Sequence, residues 1–163
     1  MKESIYTIPI SEVFAPKCGC PLCRLYETLE IRWVEYISGA AMMEPAVRIE
    51  TNRQGFCAHH YELMLKVQKR LSVALILQSH LIELDETLTD ITPEKKSLFG
   101  SKEKGREAES CFVCERIAQE FSRIGENIAV IWERELAFRT LYDAQEFLCL
   151  PHYQMVAQAG ANV

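Results

Sequence analysis

Two copies of one pattern carry the side chains best suited to chemistry. The first is Cys20-x-x-Cys23 followed by Cys57-x-x-His60, and the second is Cys111-x-x-Cys114 followed by Cys149-x-x-His152. The half-motifs are 33 residues apart in the first copy and 34 in the second, so the match includes the size of the intervening segment. Each copy offers three thiols and one imidazole, the donor set of a closed zinc site of the three-cysteine, one-histidine (CCCH) type. Two zinc ions per chain are therefore expected, one on Cys20, Cys23, Cys57 and His60 and the other on Cys111, Cys114, Cys149 and His152. Four protein donors leave no coordination position for water or substrate, which makes the expected role structural rather than catalytic.

Other chemistries of the same residues fit less well. A thioredoxin-like dithiol needs a βαβ setting that neither CxxC has, and it leaves Cys57, Cys149 and both histidines without a role. A zinc-thiolate redox sensor, releasing metal on oxidation, is retained as an alternative. Three cysteines and a histidine can also hold an iron–sulfur cluster, a second alternative that the spacing leaves open. Haem attachment is disfavoured because Arg24 and Glu115 stand where CxxCH requires histidine. A Gly-rich phosphate loop, a nucleophile elbow and an HExxH motif are all absent, so no catalytic residue is assigned and the reading favours a non-enzymatic protein. Cys18 and His59 have no counterparts in the second copy. Cys18 is read as incidental, and His59 as an exposed neighbour of the ligands.

The elements that must position these ligands read as helices. From Leu22 the apolar residues Leu25, Tyr26, Leu29, Trp33, Tyr36 and Ile37 recur with a period of 3.6, predicting a helix over about Pro21 to Ser38. Pro21 suits a first helical turn, where its missing N–H costs nothing. Gly39 and Pro45 interrupt the run, and Ala46 to Thr51 can form a short second helix before Gln54-Gly55-Phe56 turns the chain. A third helix is expected from His59 to about Leu88, long enough to pack on both halves or on a second subunit. Each half-motif then stands at a helix N-terminus, where free N–H groups and the helix dipole favour thiolate.

Residues 90–109 change character: Pro93-Glu94-Lys95-Lys96 and Gly100-Ser101-Lys102-Glu103-Lys104-Gly105-Arg106-Glu107 have little to bury and read as a mobile charged linker. Beyond it the first half is replayed. Counted from the second cysteine of each CxxC, Tyr26 matches Ile117, Trp33 matches Ile124 and Ile37 matches Ile128. Counted from the later cysteine, Tyr61 matches Tyr153 and Met64 matches Val156. The fold expected is all-α, with two degenerate three-helix repeats at 1–89 and 110–163, each closed by its own CCCH site.

Composition limits the partners. Eighteen Lys and Arg against 23 Asp and Glu give a net charge of −5 without a dense basic cluster, which argues against nucleic acid. No apolar run approaches membrane-spanning length, and the first residues lack the pattern of a secretory signal. A cytoplasmic setting, in which thiols stay reduced, is expected. What remains is a zinc-stabilised helical protein, a structural or interaction module with an unidentified protein partner. Homo-oligomerisation through the helix 59–88 is one form this could take.

The segments Cys-Pro-Leu-Cys at 20–23, Gly-Phe-Cys-Ala-His-His at 55–60, Cys-Phe-Val-Cys at 111–114 and Phe-Leu-Cys-Leu-Pro-His-Tyr at 147–153 resemble a group of uncharacterised bacterial proteins with paired CPxC and FCxxH motifs. The resemblance covers nearly the whole chain. It implies a helical zinc-binding protein of unknown role, supplies no catalytic residues, and implies relatives that continue further at the C-terminus.

Overall fold

A computed structural model describes residues 7–17, 19–89 and 110–161. Cys18 and the expected linker lie outside the described residues. Among those described there are eight α-helices and no strand: α1 (Thr7–Phe14), α2 (Pro21–Ile37), α3 (Pro45–Gln54), α4 (Ala58–Lys66), α5 (Arg70–Thr89), α6 (Phe112–Arg134), α7 (Leu136–Asp143) and α8 (Leu150–Gly160). A 3₁₀ turn, Ala40–Met43, connects α2 to α3. The all-α expectation holds. No described helix is long and apolar enough to cross a membrane.

The chain forms two compact units, one made of Met1–Glu30 with Arg116–Val163 and the other of Ile31–Glu115. The segments 1–89 and 110–163 thus each contribute to both units.

In the first unit α6 is strongly amphipathic. Ile117, Phe121, Ile128 and Ile131 recur at helical spacing on one face and are buried. Phe14, fully buried at the end of α1, meets the edge of Phe138 at 5.2 Å and stacks on Tyr142 at 5.6 Å, so α1 is pinned to α7 by aromatic contact. The Gln145 amide donates to the Phe14 carbonyl at 2.6 Å, and Arg24 donates to the Val13 and Pro16 carbonyls. These donors satisfy the C=O groups that the end of α1 leaves without helical partners.

In the second unit Val34, Ile37, Phe56, Met64, Val73, Ile76, Phe112 and Val113 form the core. The expected continuous helix 59–88 is corrected here to two helices. Gln68 takes φ 61°, a left-handed conformation that cannot continue a helix, and it ends α4 just after Lys66. The break lets α5 lie along α3. Arg48 of α3 donates to the Leu75 carbonyl at 3.0 Å, the Ser79 hydroxyl to Asn52 Oδ1 at 2.7 Å, and His80 Nδ1–H to the Asn52 carbonyl at 2.7 Å. Lys69, beside the break, donates to the Glu35 carbonyl of α2.

Candidate metal centres

Four cysteines occupy one structural position. Cys57 and Cys149 are the N-caps of α4 and α8, in extended conformation and with no side-chain capping bond. Cys20 and Cys111 directly precede α2 and α6. The carbonyls of all four accept the first helical hydrogen bond, from the N–H groups of Arg24, Tyr61, Glu115 and Tyr153. Three residues further on stand Cys23, His60, Cys114 and His152. N-cap and N3 side chains converge on one side of a first turn, the geometry that in a capping box lets Ser or Thr reach the backbone while Glu reaches back. Here that geometry aims two metal donors at a common point, which is the physical reason for the x-x spacing.

Two such helix ends meet in each cluster, but not the two expected. Cys20 and Cys23 gather with Cys149 and His152, and Cys57 and His60 gather with Cys111 and Cys114. The pairing within each copy is therefore corrected: the CxxC of one copy meets the CxxH of the other. A backbone contact accompanies the exchange: the Gly55 carbonyl, two residues before Cys57, accepts the N–H of Phe112, next to Cys111.

In the first cluster Cys23 Sγ lies 3.7 Å from Cys149 Sγ, while His152 Nδ1 lies 3.5 Å from Cys20 Sγ, 3.5 Å from Cys23 Sγ and 3.1 Å from Cys149 Sγ. In the second, His60 Nδ1 lies 3.1, 3.2 and 3.5 Å from the sulfurs of Cys57, Cys111 and Cys114, and Cys57 Sγ is 4.0 Å from Cys114 Sγ. These separations far exceed a disulfide bond of about 2.05 Å. A tetrahedral ion bonded to sulfur at about 2.3 Å and to nitrogen at about 2.05 Å sets edges of about 3.8 Å and about 3.5 Å. The measured edges match within a few tenths of an ångström, so each group could hold one metal ion.

Without a cation the thiols compete. Burial pushes Cys20 up, but N–H groups of Cys149, Cys23 and Leu22 and the His152 ring outweigh it and bring the thiol down to about 6. Burial, and then the neighbouring Cys149 and Cys20, push Cys23 up to about 12. Cys114 is likewise pushed up to about 12, first by desolvation of its sulfur and then by Cys111 and Cys57. One ionised sulfur thus suppresses ionisation of the next, a conflict that a bound divalent cation relieves.

The surroundings hold the ligands in place. Phe121 lies 5.4 Å from the His152 ring. His60 is buried, and His59 is exposed with its ring 5.2 Å from that of His60. In the second cluster Gly55 is the hinge. It sits at φ 68°, ψ −158°, its carbonyl accepts the N–H of Phe112 beside Cys111, and a Cβ there would lie 2.8 Å from the His80 ring. Gln54 also donates to the Glu115 carboxylate. Gly55 and Gln54 thus help join the two helix ends, and the His80 ring against Gly55 leaves no room there for a side chain. The turn at 54–56 was legible in the sequence, but the role of His80 had no local signal.

These clusters and helices are those of a chain that a single family model, described as a family of unknown function, matches over residues 1–163. The chain belongs to DUF6062. No curated protein and no solved structure matches it. The DUF6062 chain also has a cleft of about 460 Å³ in its first unit, where Trp132, Tyr142 and Tyr153 line the wall with Glu133 and Asp143. No thiol or imidazole lines it.

Proposed function

We propose that this DUF6062 protein is a zinc-stabilised helical module whose role is structural or interaction-mediating, with one Zn²⁺ on Cys20, Cys23, Cys149 and His152 and another on Cys57, His60, Cys111 and Cys114. The observation that carries the reading is the tetrahedral spacing of three sulfurs and one nitrogen in each cluster. The compactness also favours one ion over an iron–sulfur cluster. Cysteines on different irons around a sulfide core are held further apart than donors that all lie within 4.8 Å of one another. Structural zinc contributes on the order of 10 kcal/mol to small folds. The zinc holds helix ends together and leaves recognition to helix surfaces. Unpaired thiols among the described cysteines suit a reducing, cytoplasmic setting.

Elemental analysis of protein purified without added metal tests the proposal, and two zinc per chain is expected. Chelation should then lower the melting temperature by on the order of 10 °C or more. An unchanged melt after verified metal removal would overturn the structural role.

One observation favours a second reading, a zinc-thiolate sensor: Cys114 is exposed. Hydrogen peroxide would take two electrons from the Cys57 and Cys114 thiolates, forming their disulfide and water and releasing the ion. Loss of one zinc per chain on mild peroxide, restored by reductant and zinc, supports it. Retention of both ions under peroxide excludes it.

A further inference from the structure

The interaction role proposed above needs a surface, and α5 supplies one. Its buried line, Val73, Ile76 and His80, faces α3, and the hydrogen bonds joining the two helices involve Leu75, Ser79 and His80. α3 has ten residues and α5 twenty. The last two turns of α5 extend beyond those bonds and, among their acidic residues, leave large apolar side chains in the open: Leu81 is 57% exposed, Ile82 53% and Leu88 55%. Large apolar side chains left in the open beside a helix's buried line call for a partner of their own.

Part of this exposed surface is ordered. Arg70, Ala74, Leu77, Leu81, Leu84 and Leu88 are spaced 4-3-4-3-4 along the sequence. At about 100° per residue they fall within an arc of about 80°, a quarter turn from the buried line. Arg70, Ala74, Leu81 and Leu88 are exposed, and Leu77 and Leu84 are half-buried. This alternation is the seam of a two-stranded coiled coil, where each residue inserts between residues of a like helix. It matches a second helix with the same repeat, and a second copy of this chain provides one.

The charges choose the direction. Lys69 and Arg70 stand at the start of α5, and Glu83, Asp85 and Glu86 near its end, all exposed. Parallel pairing would set like charges side by side, whereas antiparallel pairing sets opposite charges together and opposes the two helix dipoles. We propose that α5 pairs antiparallel with α5 of a second copy through this line. In the register that uses the whole seam, Leu77 lies beside the partner's Leu81 and Ala74 beside the partner's Leu84. Arg70 lays its stem on the partner's Leu88, with the guanidinium near the partner's Asp85. The seam is just under three heptads long, so a dissociation constant on the order of micromolar is expected. The helices are already formed in the monomer, which spares the cost of ordering them.

Sedimentation velocity of the metal-loaded full chain, over concentrations bracketing the micromolar range, tests this. A monomer–dimer equilibrium is expected. Leu81→Glu should raise its dissociation constant at least tenfold without lowering the melting temperature of the monomer, since the side chain is exposed. Arg70→Glu and Asp85→Arg should each weaken the dimer, and the two together should restore it. A photo-crosslinking residue at position 88 should capture the partner near position 70. Capture near 88 would indicate parallel pairing, because antiparallel copies hold those positions about 27 Å apart. A chain that stays monomeric with two zinc bound overturns the seam alone. A dimer without bound metal overturns the zinc reading alone.

Discussion

Replacing Cys20 and Cys149 together by serine should remove one metal ion and leave the other site intact. Replacing Cys20 and Cys57 together should damage both. The residues removed are chemically alike, and only the pairing of half-motifs distinguishes the variants. In the first, both lost ligands belong to one cluster, and Cys57, His60, Cys111 and Cys114 keep all their donors. In the second, each cluster falls to two sulfurs and one nitrogen. The same partition sets the stability effect. Cys23 and Cys149 are 126 residues apart, and a link of that span restricts the denatured chain by about 5 kcal/mol in the loop-closure model, against about 4 kcal/mol for a link of about 34 residues within one copy. Losing the first cluster should therefore loosen α1, α7 and α8 while the core around Met64 and Phe112 stays protected. Native mass spectrometry counts the ions, cobalt substitution reports thiolate ligation through its charge-transfer band, and hydrogen exchange locates the loosening. A Cys20/Cys149 variant that loses both ions, beside a Cys20/Cys57 variant that loses only one, would refute the exchanged pairing.

Gly55→Ala should cost about 1–3 kcal/mol, since only glycine accepts that backbone conformation readily and the new methyl meets His80. Its metal loss should be confined to the second cluster, read by thermal melts and metal counting. Phe14→Ala should destabilise by about 3–5 kcal/mol, because a fully buried ring stacked on Phe138 and Tyr142 leaves a cavity. A loss below about 1 kcal/mol in denaturant titration would contradict this packing. Burial, then Tyr153 and Asp143, raise the Tyr142 phenol above its ordinary value of 10.0. Its contribution is full below pH 10, and stability falls as pH rises through the folded-state value, where the unfolded chain releases the proton more readily. Tyr142→Phe should flatten the alkaline limb of a stability–pH curve relative to the parent, and identical limbs would show that this phenol is not responsible.

Much of this architecture could be read from residue types. The period of Leu22, Leu25, Leu29 and Trp33 foretold α2, and Pro45 and Gly55 bounded α3 closely. All eight donor residues lie in the two clusters. The partnership of the half-motifs was hidden for a definite reason: exchange leaves three sulfurs and one nitrogen in each site, so composition and spacing are indifferent to it. Tertiary contacts decide it, such as that of the Gly55 carbonyl with the Phe112 N–H. The division of the 59–88 run was hidden too. Val67-Gln68-Lys69 contains neither glycine nor proline, so nothing local in the residue types announces the left-handed conformation of Gln68 that ends α4.

The exchanged pairing also orders events during synthesis. A ribosome that has released only residues up to 110 has made both ligand pairs of the first copy, yet it has completed neither site. The second cluster can close when residue 114 emerges, and the first must wait for residue 152. Cys20 and Cys23 therefore stay uncommitted for most of translation, and an ion bound there would arrive as one of the last steps. A metal-loaded first cluster is then a chemical record that the chain has been made through α8's first turn.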